Sequence, residues 1–100
     1  MASAQEADRT AILHLIEEET AAYFDKDYER WAQCWVQTPY VRRLGWHVRG
    51  GVEVHAGWER ESSVMRLMMQ QYPIPNRSIG EVRRENLNFR IGCDMAWVTF

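Results

Sequence analysis

The segment AYFDKDYERWAQCW, residues 22–35, constrains the fold of this chain more than any other. It joins two amphipathic helical patterns across Asp25–Asp27. Asp27 stands where an N-cap for the second helix belongs, a short acceptor side chain immediately ahead of a helical run. β-like segments follow. Helix, short break, helix and then strands predict an α+β domain.

The first helix is expected from about Ala4 to Phe24. Ile12, Ile16, Glu19 and Tyr23 fall within about 40° of one another on its wheel, with Leu15 and Ala22 flanking them and His14 opposite, facing solvent. The second is expected from Asp27 to about Val36, with Tyr28, Trp31, Ala32 and Trp35 on one face, ended by Gln37-Thr38-Pro39. Tyr40–Arg49 reads as a strand with Tyr40, Arg42, Leu44 and Trp46 on one side and Val41, Arg43, Gly45 and His47 on the other. Gly50-Gly51 suits a tight turn into Val52–His55. A third helix is expected over Gly57–Tyr72, with Trp58, Ser62, Met65, Met69 and Tyr72 in one stripe, stopped by Pro73 and Pro75. Val82–Ile91 reads as a long β segment, Gly92–Asp94 as a turn and Met95–Phe100 as another strand. The apolar run MAWVTF ends the sequence inside that strand, which predicts a C-terminally incomplete sheet.

One hundred residues, 46% apolar and 26% charged, fit a single domain. Five Trp and four Tyr must share a small interior or line a pocket. The net charge of −2 argues against a general nucleic-acid binder. Residues 1–29 hold eight acids and two bases, and residues 30–100 hold six acids and ten bases, which makes an anionic ligand or partner somewhat more plausible. Cys34 and Cys93 have no Cys or His at ligand spacing and read as buried free thiols. The N-terminal MASAQEADRT is too polar for a signal peptide and no run approaches a membrane span, so no membrane contact and a cytoplasmic setting are expected. With no HExxH and no Gly-rich phosphate loop, neither a metal nor another cofactor is expected.

Glu19 is the anomaly, a carboxylate on an apolar helical face one turn before Tyr23. Burial raises a carboxylate's pKa and suits it to acid–base work, with Tyr23 as hydrogen-bond donor. The competing and weightier reading is a structural pair with Arg42 or Arg43 at the pocket floor. These two arginines alternate on a strand, so only one enters the interior, where a guanidinium recognises a carboxylate, enolate or phosphate. His47 and His55 flank the hairpin as weaker candidate bases. Trp46, Trp58, Met65, Met69, Phe89 and Trp97 are first of all core residues, and some are expected to wall a cavity. Arg83, Arg84 and Arg90 read as solvated strand residues.

The order of these elements, with YFDKDYERWAQCW, GGVEVHAGWE, IPNRSIGEV and RENLNFRIGCDMAWVTF, resembles the nuclear-transport-factor-2-like superfamily. Its members include SnoaL-like polyketide cyclases, ketosteroid isomerases and scytalone dehydratases. The resemblance covers nearly the whole chain and implies a cone-shaped, curved antiparallel sheet around the N-terminal helix, three helices in all. It also implies an enclosed apolar pocket, homodimers through the sheet, and two further strands. Aligned with the ketosteroid isomerases, Glu19 stands where they have an oxyanion-binding Tyr and Arg43 where they have a carboxylate base. Tyr23 matches the dehydratases' first-helix tyrosine, but Phe24 replaces the neighbouring acid and Ser78 stands where they have a histidine. The expected function is binding of a small apolar or acidic molecule in the cavity, with isomerase-, cyclase- or dehydratase-type proton transfer if catalytic. The alternative is a non-catalytic dimerisation or association module.

Overall fold

The protein is described by a computed structural model over residues 4–48 and 50–100. Arg49 and the side chain of His47, one of the candidate bases, lie outside the described residues. The order is α1 (Ala4–Asp25), α2 (Tyr28–Gln33), β1 (Arg42–His47), β2 (Gly51–Ala56), α3 (Trp58–Gln71), a 3-10 turn (Arg77–Glu81), β3 (Asn88–Ile91) and β4 (Ala96–Thr99).

Local chemistry sets the α1–α2 corner. Lys26 takes φ +60°, its N–H bonds Tyr23 O at 3.2 Å, and Asp27 N–H reaches back to Ala22 O at 2.9 Å. That pair of bonds satisfies the last carbonyls of α1 and reverses the chain. Asp27 then caps α2, its Oδ1 accepting from Arg30 N at 3.3 Å. Asp27→Ala is expected to cost about 1 kcal/mol, read as a shifted urea midpoint with unchanged slope. Arg30 crosses the corner, with Nε 2.8 Å from Glu18 Oε1 and Nη1 2.9 Å from Asp25 Oδ2. Its hydrogen bond holds Glu18 below the usual carboxylate range.

Helix α2 is shorter than its pattern suggests. Cys34 N and Trp35 N bond carbonyls only three residues back, at 3.1 and 3.2 Å, and Gln37 Nε2 takes Ala32 O at 3.1 Å. The tightened final turn ends the helix. Helix α3 starts after Gly57, whose φ of +85° favours glycine and whose N–H bonds Val41 O at 2.8 Å. It stops at Tyr72, ahead of Pro73.

The β segments form two separate two-stranded antiparallel sheets, β1–β2 and β3–β4, not one sheet curved around α1. Helix α1 packs against α2, the 3-10 turn and β3, while the first hairpin packs against α3. The long strand expected over residues 82–91 is reduced to Asn88–Ile91. Asn86 has φ +57°, outside strand geometry, and Arg84 is drawn sideways onto α1. Residues 77–81, read from sequence without an element, form the 3-10 turn, capped by Asn76 Oδ1 accepting from Ser78 N at 2.9 Å.

Ala22, Trp31, Ala32, Met65 and Met69 form the buried core, with Tyr23, Tyr28, Trp35, Trp58 and Met68 packed around it. Trp31 is 0% exposed. Its ring stacks on Trp58, centroids 5.7 Å apart and planes 20° apart. Neither cysteine is bonded to the other; Cys34 is half-buried, and Cys93, contrary to expectation, is exposed. Among the described residues no helix is long and apolar enough to cross a membrane, and no group of His, Cys, Asp and Glu is arranged to hold a metal.

Candidate functional site

The structure separates Glu19 from both arginines proposed as its partner. Glu19 Oε1 accepts from Trp31 Nε1 at 3.0 Å. Tyr23 donates to Met68 Sδ at 3.7 Å, with the Lys26 ammonium 5.4 Å from its ring centre. Both groups of the expected catalytic pair are therefore engaged by core residues. Arg42 turns outward, its Nη1 donating to Pro39 O and Val41 O at 2.9 Å each. Arg43 takes the inner face, as alternation requires of its neighbour.

On that face Arg43 lies directly across the ladder from His55, and Gly45 across from Glu53. The first turn of α3 lowers Glu61 onto them. Glu61 is 1% exposed, with Oε1 3.6 Å from Arg43 Nε, longer than a hydrogen bond. Neither carboxyl oxygen has a hydrogen-bond partner, and His55 Nδ1 has none. His55 Nε2 lies 3.5 Å from Glu53 Oε2. Burial pushes the Glu61 carboxyl above the usual range, Arg43 and His55 pull it back down, and Glu19 adds to the rise. Glu61 is thus the buried acid of the fold, in place of Glu19. Position 61 falls one wheel step from the Trp58–Met65–Met69 stripe, which is the signal that would have found it.

The residues expected to wall one cavity are dispersed. Trp58, Met65 and Met69 pack in or against the core. Trp46 is 69% exposed and Trp97 67% exposed, each on the outer face of its hairpin. Phe89 turns toward α1, where the Arg9 guanidinium lies 5.0 Å from its ring centre. A hairpin that packs only one face leaves the other in water, and here the charged face of β1–β2 is the covered one.

An apolar recess lies instead between α1 and residues 79–87. Leu13, Glu17 and Thr20 form one wall of a cleft of about 450 Å³, and Ile79, Val82, Arg84 and Leu87 form the other. Arg84 Nη2 donates to the hydroxyl of Thr20, and its Nε is shielded from water without a partner. The Arg84 guanidinium lies 5.4 Å from the Phe100 ring centre. Sequence reading placed Arg84 on a solvated strand. Only the departure of residues 82–87 from strand geometry brings it against α1. A larger groove of about 640 Å³ runs between Gln37–Pro39 and the start of α3, its wall mixing Gln37, Thr38, Glu59, Arg60 and Ser63 with Pro39, Ala56, Trp58 and Val64.

No family model, curated protein or solved structure matches this chain.

Proposed function

We propose that this chain is a small-molecule-binding domain of the SnoaL-like, nuclear-transport-factor-2-like kind, holding a largely apolar molecule between α1 and residues 79–87. The observation that carries the reading is the cleft. Its volume of about 450 Å³ falls within the usual span of small-molecule sites, about 300–1,000 Å³. Four of its seven lining side chains are aliphatic, and the polar ones are few and placed together. The succession helix, short helix, hairpin, helix, hairpin supports the superfamily assignment. In this reading the sheet closes as a cone starting from β3, which already packs against α1.

Proton transfer of the isomerase, cyclase or dehydratase type has neither expected nor observed interior acid at this cleft: Glu19 is bonded to Trp31, and Glu61 is 1% exposed beneath the first hairpin. The association reading, a homodimer through the sheets, draws on one observation: Leu44, Trp46, Val52 and Val54 form an exposed apolar outer face on the first hairpin.

Titration of isotope-labelled protein with octanoate and with 1-octanol tests the cleft. At least one probe is expected to shift the amides of Leu13, Thr20, Ile79 and Leu87 in a saturable way. If neither moves them up to its solubility limit, the cleft is not a ligand site. Shifts confined to residues 44–54 that grow with protein concentration would establish association instead.

A further inference from the structure

We infer that the cleft on α1 recognises an apolar monocarboxylate, with Arg84 as the group that binds its head and Leu13, Ile79, Val82 and Leu87 as the sleeve for its tail. The inference rests on the ligand-binding reading above and adds to it the chemical class of the ligand.

A guanidinium carries five N–H donors in a flat fork. Arg84 spends one of them on the Thr20 hydroxyl, and its Nε–H is removed from water with nothing to receive it. Among the described residues no carboxylate lies within ion-pair distance of it, although Glu17 lines the same cleft. A half-buried cation with unspent donors carries a desolvation cost that a matching anion would remove, and a carboxylate fits the fork with two parallel bonds. The Phe100 ring lies beside the guanidinium, 5.4 Å from its central carbon, and lends it a cation–π contact. The aliphatic walls beyond it offer nothing to a second charge.

Glu17 sets the selectivity. Its carboxylate repels a second anionic group on the ligand, which favours a monoanion over a dicarboxylate or a phosphate. Its charge also repels the ligand's carboxylate, so it weakens rather than aids binding of the acid.

The test compares octanoate with 1-octanol, which share a tail and differ at the head, by calorimetry on the wild-type protein, Arg84→Gln, Arg84→Lys and Glu17→Gln. Wild-type protein is expected to prefer octanoate about ten- to hundredfold, the scale of charge-assisted hydrogen bonds. Arg84→Gln should erase that preference by weakening octanoate far more than 1-octanol. Arg84→Lys, which keeps charge without the fork, should retain part of it. Glu17→Gln should strengthen octanoate about two- to fivefold relative to 1-octanol. Affinity should rise about fourfold for each methylene added from hexanoate to octanoate.

Equal wild-type affinity for acid and alcohol overturns the carboxylate assignment while the binding site stands. Binding of neither overturns the site itself. A Glu17→Gln protein that binds octanoate more weakly places the acid elsewhere. Should Arg84→Gln not fold, the wild-type acid-to-alcohol ratio and the Arg84→Lys protein decide the matter alone.

Discussion

Trp31→Ala is expected to cost about 3–5 kcal/mol, a large part of the roughly 5–15 kcal/mol that a domain of this size carries. Trp31 is 0% exposed, and its ring lies 5.6 Å from Trp35, 5.7 Å from Trp58 and 6.0 Å from Tyr28. Truncation would open a cavity at the point where α2 meets α1 and α3, and three neighbouring rings are too rigid to fill it. Trp31→Phe separates packing from polarity. It keeps an aromatic ring in the stack but removes the Nε1–H that Glu19 accepts at 3.0 Å, for an expected loss of about 1–3 kcal/mol once truncation is included. Urea unfolding followed by far-ultraviolet circular dichroism reads both. A Trp31→Ala protein within about 1 kcal/mol of wild type would mean that the tryptophan cluster is not the core.

The second large effect belongs to Glu61 and has an unusual sign for an acid. Burial raises its carboxyl above the reference value of 4.5, so the folded protein holds the Glu61 proton more tightly than the unfolded chain does. The stability linked to that proton is fully present below pH 4.5 and is lost as pH rises through the raised value. Above that value an ionised Glu61 sits 1% exposed, offset by Arg43, its side chain 35% exposed, and to a lesser degree by His55, and opposed by Glu19. Replacing the acid by an apolar residue of similar length, Glu61→Met, is therefore expected to stabilise the protein at pH 8 by about 1–4 kcal/mol. The remaining Arg43 keeps access to water, so its charge is not stranded. Glu61→Gln removes the charge alone, and its advantage over wild type should grow with pH. Denaturant midpoints across the acid-to-alkaline range measure this. A Glu61→Gln protein less stable than wild type at pH 8 would show that the Arg43 pair outweighs desolvation.

Much of the architecture was legible because it depends on neighbours in sequence. The Asp27 cap, the stop at Pro73 and the α3 stripe of Trp58, Met65 and Met69 follow from donors, acceptors and side-chain spacing within a few residues. Alternation also required Arg42 and Arg43 to face opposite ways, though not which would turn inward. The interior acid was misassigned for a related reason. A helical wheel ranks faces by apolarity, and both Glu19 and Glu61 lie on faces that become partly or wholly buried. Which carboxylate loses its water depends on what packs above it. For Glu61 that is the charged side of the first hairpin, and for Glu19 it is the edge of an indole that donates to it.

The cleft on α1 shows the same division more sharply. Leu13, Thr20, Ile79 and Arg84 are separated by up to sixty-four residues in sequence between hydrogen-bonded partners, and no local pattern connects them. Residues 82–87 read as strand only as the lead into the apolar alternation of Asn88–Ile91. The chain leaves strand geometry there because Asn86 takes a left-handed φ of +57° and Arg84 is held on α1. Sequence alone therefore determined the helices, all their ends but that of α2, and the α+β class, since each rests on short-range hydrogen bonds and on 3.6- or 2-residue periodicity. Tertiary structure decided which face of the first hairpin is covered, which acid is buried and which arginine meets the cleft. Each of those outcomes is set by desolvation, and desolvation is a property of what lies across the interface rather than along the chain.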